Sequence, residues 1–318
     1  LTGTRFWEEA GPYTYLDTLR SSGIATYFWS NLRDEPTGQM ILAAENLGSK
    51  LLVGPGTHCA VPPDFDFVGE VQRHFDQHLR GRPAPASARV TWWVEEAPAG
   101  KNWRQGERWP GVDAPRQRWY LASSGADGQL QARSPRRASR EFAVDYELGP
   151  PDAFAFWVQS QHGRGLSFTS APLAQDQELA GFPLVRLRVA SNDPEPLLFA
   201  YLEQISADGS ADVLAFGRLA ASYRKTGTAP YDTLGLPWIT GLSADHAPLA
   251  PGREVDLDFA LTPVSRVISS GSRLRVVVTG ADPRQRNLAD LRKDPAPRIS
   301  VVSGRNGSWI ELPLRPLS

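Results

Sequence analysis

The stretch that most constrains this chain is Leu51-Leu52-Val53-Gly54-Pro55-Gly56-Thr57-His58, an apolar run, a Gly-Pro-Gly turn and a histidine. An apolar run halted by Gly and Pro reads as a buried strand that ends in a tight loop. A residue just past the carboxyl end of such a strand stands where open α/β sheets place their ligands and their chemistry. Upstream, Ile24-Ala25-Thr26-Tyr27-Phe28-Trp29 reads as a second strand, followed by a polar loop that holds Asp34. Between the two strands, Met40, Ile41, Leu42, Ala43, Ala44 and Leu47 supply one apolar helical face.

Strand, acid, helix, strand, histidine is the order in which an α/β-hydrolase presents the last two members of its triad. The Gly-x-Ser-x-Gly elbow that would carry the nucleophile occurs nowhere in the chain, so the serine is expected upstream or on a separate chain. After His58, the spacing of Val68, Val71, Phe75 and Leu79 predicts an amphipathic helix whose apolar face joins the core, ending at Gly81 with Pro83 beyond. Gly81-Arg82-Pro83-Ala84-Pro85-Ala86 then reads as a linker.

From Arg89 onward the pattern changes to short β-rich runs. They include Val90–Val94, Arg118–Leu121, Val185–Val189, Leu197–Leu202, Leu274–Val278 and Ser308–Leu312, separated by Gly/Pro/Asp turns. Arg186–Val189 and Glu254–Phe259 alternate strictly, as a strand with one wet face does. Many short strands without a long helical period predict a β-sandwich, and the long segments Gln131–Arg140 and Lys225–His246 suit jelly-roll crossovers. The expected fold class is therefore α/β plus all-β. Residues 1–82 form the C-terminal end of an α/β-hydrolase domain and residues 83–318 a jelly-roll β-sandwich, two units as 318 residues allow.

Overall charge narrows the partners. A net charge of −1 gives no electrostatic case for nucleic acid or an anionic membrane surface, and no run reaches the ~18 apolar residues of a membrane span. Leu1-Thr2-Gly3-Thr4-Arg5-Phe6 lacks the basic and apolar segments of a signal peptide. One cysteine, Cys59, excludes an internal disulfide; that suits a cytoplasm without fixing the compartment. A homo-oligomer is compatible with all of this.

Gly54-Pro55-Gly56-Thr57-His58 and Phe75-Asp76-Gln77-His78-Leu79-Arg80-Gly81 resemble paired signatures of the cocaine esterase and X-Pro dipeptidyl-peptidase-like (CocE/NonD) serine hydrolases. Trp103-Arg104…Trp109-Pro110, Trp119-Tyr120-Leu121, Leu166–Leu173, Ala180–Pro183 and Ser270–Val276 resemble successive parts of that family's C-terminal jelly roll, which is galactose-binding-like. The resemblance implies a three-part enzyme of hydrolase domain, helical cap and jelly roll that cleaves ester or amide bonds through Ser, Asp and His without a cofactor. It implies His58 as general base. The triad's third member is Asp34 if the register is counted back from Glu45-Asn46-Leu47, and Asn31 if it is set by Trp29; the family's Gly-Trp-x-Asp stands here as Asn31-Leu32-Arg33-Asp34.

Other candidates have plainer explanations. His74 and His78 are four apart on one helix, a zinc-chelating spacing, but no third ligand accompanies them, so no metal is expected. Cys59 reads as a small packing residue. Trp92, Trp93, Trp103, Trp109 and Trp119 could form a stacking platform for sugars, but aromatics of this size dominate cores and interfaces. Trp92 and Trp93 must face opposite ways, one into the sandwich core and one against the hydrolase segment. Arg133–Arg137 reads as a solvated loop, and Asn306-Gly307-Ser308, formally a glycosylation triplet, as a turn. Two functions follow. One is a part of a serine hydrolase that acts on a small-molecule or peptide ester or amide, completed by an N-terminal half that carries the serine. The other is a non-catalytic carbohydrate- or partner-binding module with a vestigial hydrolase segment.

Overall fold

A computed structural model describes residues 11–83, 85–111, 115–125, 127–148, 157–285 and 288–317. Its first sheet has the order β1-β2-β3-β4, from β1 (Tyr27–Asn31), β2 (Lys50–Gly54), β3 (Val90–Trp93) and β4 (Trp103–Gly106). Parallel pairing joins β1 to β2 and β2 to β3, while β4 runs antiparallel to β3. The Thr37–Leu47 helix crosses from β1 to β2 and buries Ile41 and Ala44 completely. Leu51, Leu52 and Val53 are at most 1% exposed, as an apolar run covered on both faces must be. The first strand begins at Tyr27, three residues later than the sequence suggested, and Ile24 lies exposed.

This sheet runs on past the expected boundary at residue 82. Val90–Trp93, grouped by its texture with the β-rich part, is instead the third parallel strand, reached from β2 through the Phe67–Arg80 helix. A parallel neighbour needs a crossover of a dozen or more residues, and that helix supplies it. Asp66 caps its start by accepting the Gly69 N–H at 3.0 Å.

The remaining strands are β5 (Gln117–Ala122), β6 (Gly128–Gln131), β7 (Ala138–Ala143), β8 (Leu166–Thr169), β9 (Gln177–Gly181), β10 (Leu184–Ser191), β11 (Leu197–Ile205), β12 (Ala211–Ala220), β13 (Val255–Ala260), β14 (Val264–Ile268), β15 (Arg273–Thr279), β16 (Arg298–Ser303), β17 (Trp309–Leu312) and β18 (Leu314–Pro316). A large sheet orders β12-β11-β15-β8-β6-β5-β17-β10-β16-β7, with β13 also on β10, and a small sheet orders β14-β9-β18. Among the described residues the strand pairings here are antiparallel except β6 with β8. Leu179, Val264, Ile268 and Leu314 of the small sheet share one core with Leu187, Leu202, Leu257 and Val276 of the large one. The strict alternation of β10 has a simple cause. Its register sets Arg186 opposite Asp258 and Arg188 opposite Asp256 on β13, and both arginines make bidentate bonds to those aspartates on the wet face.

A second apolar cluster joins the two parts. Leu32, Ile41, Val53, Val90, Trp92 and Trp109 pack with Phe182, Leu234 and Val267 from the β-rich part. Both Trp92 and Trp93 belong to this cluster or its border, so neither enters the sandwich core as expected; Trp92 meets Trp109 edge to face and Trp93 meets Trp103. The Glu45 side chain, 3% exposed, accepts Arg89 Nη2 at 2.9 Å and the Trp109 backbone N–H at 2.8 Å, which fastens the helix to the segments flanking β3 and β4.

One face departs from expectation. Val68, Phe75 and Leu79, read as core residues, are 74%, 54% and 77% exposed, and β1 pairs on one side only. Among the described residues nothing covers that face. Two urea titrations should separate it from the core. Leu257→Ala is expected to cost about 2–5 kcal/mol, whereas Phe75→Ser on this chain should change stability by about 0.5 kcal/mol or less.

Candidate functional site

The site begins with strand register. Asn31 ends β1 directly opposite Gly54, which ends β2. Backbone pairing continues into the loops, with the Leu32 N–H donating to Gly54 O at 2.9 Å and the Arg33 N–H to Gly56 O at 3.0 Å. Gly54 has to be glycine, because a Cβ there would lie 2.6 Å from Asn31 Oδ1 and 2.8 Å from Pro62. Gly56 turns the loop at φ +92°, a conformation L side chains rarely adopt.

These loops bring His58 and Asp34 together. Asp34 Oδ1 lies 2.9 Å from His58 Nδ1. A carboxylate can only accept, so the bond keeps the proton on Nδ1 and makes Nε2 the basic nitrogen. The Asp34 side chain is 7% exposed and the imidazole 44%. Asp34 also accepts the Glu35 N–H at 2.9 Å, and Thr37 Oγ1 donates to the carbonyls of Asn31 and Asp34 at 2.5 and 2.9 Å. Asp34 is thus a turn residue fixed by the start of the helix without being its side-chain cap.

The bond and the charge of Asp34 raise the His58 pKa above the ordinary imidazole value of 6.5, with Glu35, 3.8 Å from Nδ1, adding in the same direction and partial burial opposing. Asn31 takes another part. Its amide donates to Thr57 O at 2.7 Å and Ala60 O at 2.8 Å, bracing the loop that carries His58 without touching the ring. The alternative register, in which Asn31 would orient the imidazole, does not match this geometry. Ligand atoms of Asp34, Glu35 and His58 lie within 4.8 Å of one another, the one such group among the described residues. In it Asp34 is already engaged with His58 Nδ1 and the Glu35 N–H.

The other sequence candidates lie outside this couple. Cys59 is exposed, at φ 55°, and packs against no core. The His74 and His78 rings lie with centroids 4.6 Å apart, tilted by 54°, and His74 meets Tyr27 at its edge. Trp92 and Trp109 are buried and Trp103 packs between Phe65 and Trp93, so these rings form no open platform. Ser308 is fully buried and accepts the Arg188 N–H at 2.9 Å, consistent with a turn. Sequence reasoning gave no role to Arg33. Its side chain binds Glu95 and Asp212, whose positions 62 and 179 residues onward give no local signal.

The family described as the X-Pro dipeptidyl-peptidase C-terminal non-catalytic domain matches residues 85–288; Asp34 and His58 precede that span. The "Putative serine esterase Mb1866c" of Mycobacterium bovis is 29% identical over 336 residues, 95% of this chain and 52% of the relative. The "Putative serine esterase MT1883" of Mycobacterium tuberculosis gives the same figures. The chain therefore spans about half the length of the curated relatives it matches. Among solved structures, a CocE/NonD family hydrolase from Staphylococcus aureus superposes with a TM-score of 0.70 at 15% identity, covering 91% of this chain and 54% of that one. An α-amino acid ester hydrolase superposes at 0.71 with 17% identity, covering 99% and 59%. At these identities the structures speak for the fold.

The raised pKa fixes the sign of a pH effect. Stability from the His58–Asp34 pair is fully present below about pH 6.5 and is lost as pH rises through the raised folded value. Asp34→Asn should therefore destabilise the chain more at about pH 5.5 than at about pH 8.5, as denaturant midpoints would show. It should also lower the His58 titration midpoint in NMR.

Proposed function

Since the chain belongs to the family of the X-Pro dipeptidyl-peptidase C-terminal non-catalytic domain, we propose that it is part of a CocE/NonD-type serine hydrolase and contributes the histidine and acid of the triad. In this reading residues 11–106 complete an α/β-hydrolase sheet, and the strands that follow form a jelly roll that walls the substrate pocket. The observation that carries the reading is the 2.9 Å bond between His58 Nδ1 and the buried Asp34 at the tips of neighbouring parallel strands.

The chemistry follows from the tautomer. Nε2 takes the proton from a serine hydroxyl as that oxygen attacks an ester or amide carbonyl, and the imidazolium returns it to the leaving group. Asp34 holds the ring in place and stabilises the imidazolium by its charge; it does not itself take up the proton. The serine and the oxyanion donors come from an N-terminal half. The open edge of β1 and the exposed apolar side chains Ile24, Val68, Phe75 and Leu79 support such a neighbour, because unpaired edges and contiguous apolar surface are ordinarily covered. Substrate follows from the class alone: a small-molecule or peptide ester or amide.

Two measurements test this. In the complete protein, His58→Ala is expected to lower kcat by about 10⁴ or more, the scale of losing a triad member; near-normal turnover would remove His58 from the mechanism. A fluorophosphonate serine probe should label the complete protein and leave the isolated chain unlabelled. Labelling of the isolated chain would show that it carries its own nucleophile.

A further inference from the structure

We propose that Arg33 is a positioning residue for the His58–Asp34 couple, transmitting the rigidity of the β-rich part to both loops of the site; the kinetic half of this proposal rests on the hydrolase reading above. Arg33 sits at a junction. Its backbone N–H donates to Gly56 O, in the loop that carries His58, and the next residue is Asp34. Its side chain leaves the site altogether and is held at a distance by two carboxylates. Nη2 and Nη1 bond Asp212 Oδ2 and Oδ1 at 2.7 and 3.3 Å, and Nε bonds Glu95 Oε1 at 3.1 Å.

Those carboxylates are fixed in turn. Arg266, 9% exposed at its side chain, donates from Nη1 to Glu95 Oε2 at 3.0 Å and Asp212 Oδ2 at 2.9 Å. The Glu95 N–H donates to Ser265 O, and the Val267 N–H to Glu95 O, both at 2.9 Å. Two guanidiniums and two carboxylates therefore alternate around one point, from the loop after β1, the segment after β3, β12 and β14. Burial works against the Arg33 charge, but the bonds to Asp212 and Glu95 outweigh it and raise its pKa. A planar fork held on two sides sets the direction of the backbone at residue 33 in a way a single flexible contact cannot. That direction decides where the Asp34 carboxyl and the Gly56 carbonyl lie.

A purely structural role, gluing two parts of the chain, predicts lost stability with an unchanged site. The test separates the two with Arg33→Lys, which keeps the charge and loses the fork, and Asp212→Asn, which leaves Arg33 in place and weakens its anchor. His58 is titrated by NMR on this chain, with Asp34→Asn as the reference for a fully uncoupled ring and near-UV dichroism to establish folding. Among the described residues, the charged groups facing the imidazole are Asp34 and Glu35, and only the reference variant alters one of them. Both variants should lower the His58 midpoint by at least half the drop seen in Asp34→Asn. In the complete protein, Arg33→Lys should lower kcat about 10- to 100-fold, the scale of a 1 Å misplacement, with KM little changed. Folded variants with a wild-type His58 titration would overturn the proposal. A complete protein without hydrolase activity would sink the functional reading instead, and the titration on this chain would still decide the positioning role.

Discussion

The register between β1 and β2 is the constraint on which the site depends. Asn31 opposes Gly54, and pairing continues through Leu32 to Gly54 and Arg33 to Gly56. Two loops that leave a parallel sheet at the same level stay side by side for as long as backbone bonds hold them. Asp34 and His58, 24 residues apart in sequence, meet as a consequence of this pairing. A slip of one residue would turn each side chain to the other face of the sheet. Leu51, Leu52 and Val53 are packed at full burial on both faces of β2, so a slipped strand would have to exchange side chains of different shape in two close-packed layers at once.

Apolar contact and ion pairing divide the work of joining the two parts of the chain. The cluster around Trp92, Trp109, Phe182 and Val267 removes large side chains from water, and burial of that kind is worth about 1.5–3 kcal/mol per side chain. The ring of Arg33, Glu95, Asp212 and Arg266 is half open, with Asp212 40% and Arg33 26% exposed at their side chains. Charges so exposed and so costly to desolvate add little net stability. Such a ring contributes direction more than adhesion, since the guanidinium plane specifies an orientation that apolar packing does not.

What the sequence made legible follows from periodicity. The β2 run, the helix over Thr37–Leu47, the helix over Phe67–Arg80 ending at Gly81, and the alternating β10 each carry a local pattern that sheet or helix geometry alone explains. Asp34 and His58 stand out from the order of the elements and take their roles from the resemblance, and the structure brings the two together. Two readings failed and one residue escaped notice for one reason: partner choice is not a local property. Val90–Trp93 has the texture of the β-rich part yet pairs with β2. Val68, Phe75 and Leu79 have the spacing of a core face yet stand exposed. Arg33 looks like any loop arginine until Glu95 and Asp212 arrive beside it.

The half-open state of the imidazole bears on how such a couple is tuned. Here Asp34 and Glu35 raise the His58 pKa while slight burial opposes them. Covering the ring with a further wall would change both influences. Desolvation would press the imidazole toward its neutral form, and the lower dielectric would strengthen its attraction to Asp34. In the triad reading proposed above, where a base is most effective with a pKa close to the working pH, enclosure would tune His58 well only if Asp34 kept its place as the water left. A carboxylate already buried, bonded to Glu35 N–H and flanked by an anchored Arg33, meets that requirement before any cover arrives. The least hydrated member of the couple is thus also the one held from two sides, by the imidazole and by the Glu35 N–H.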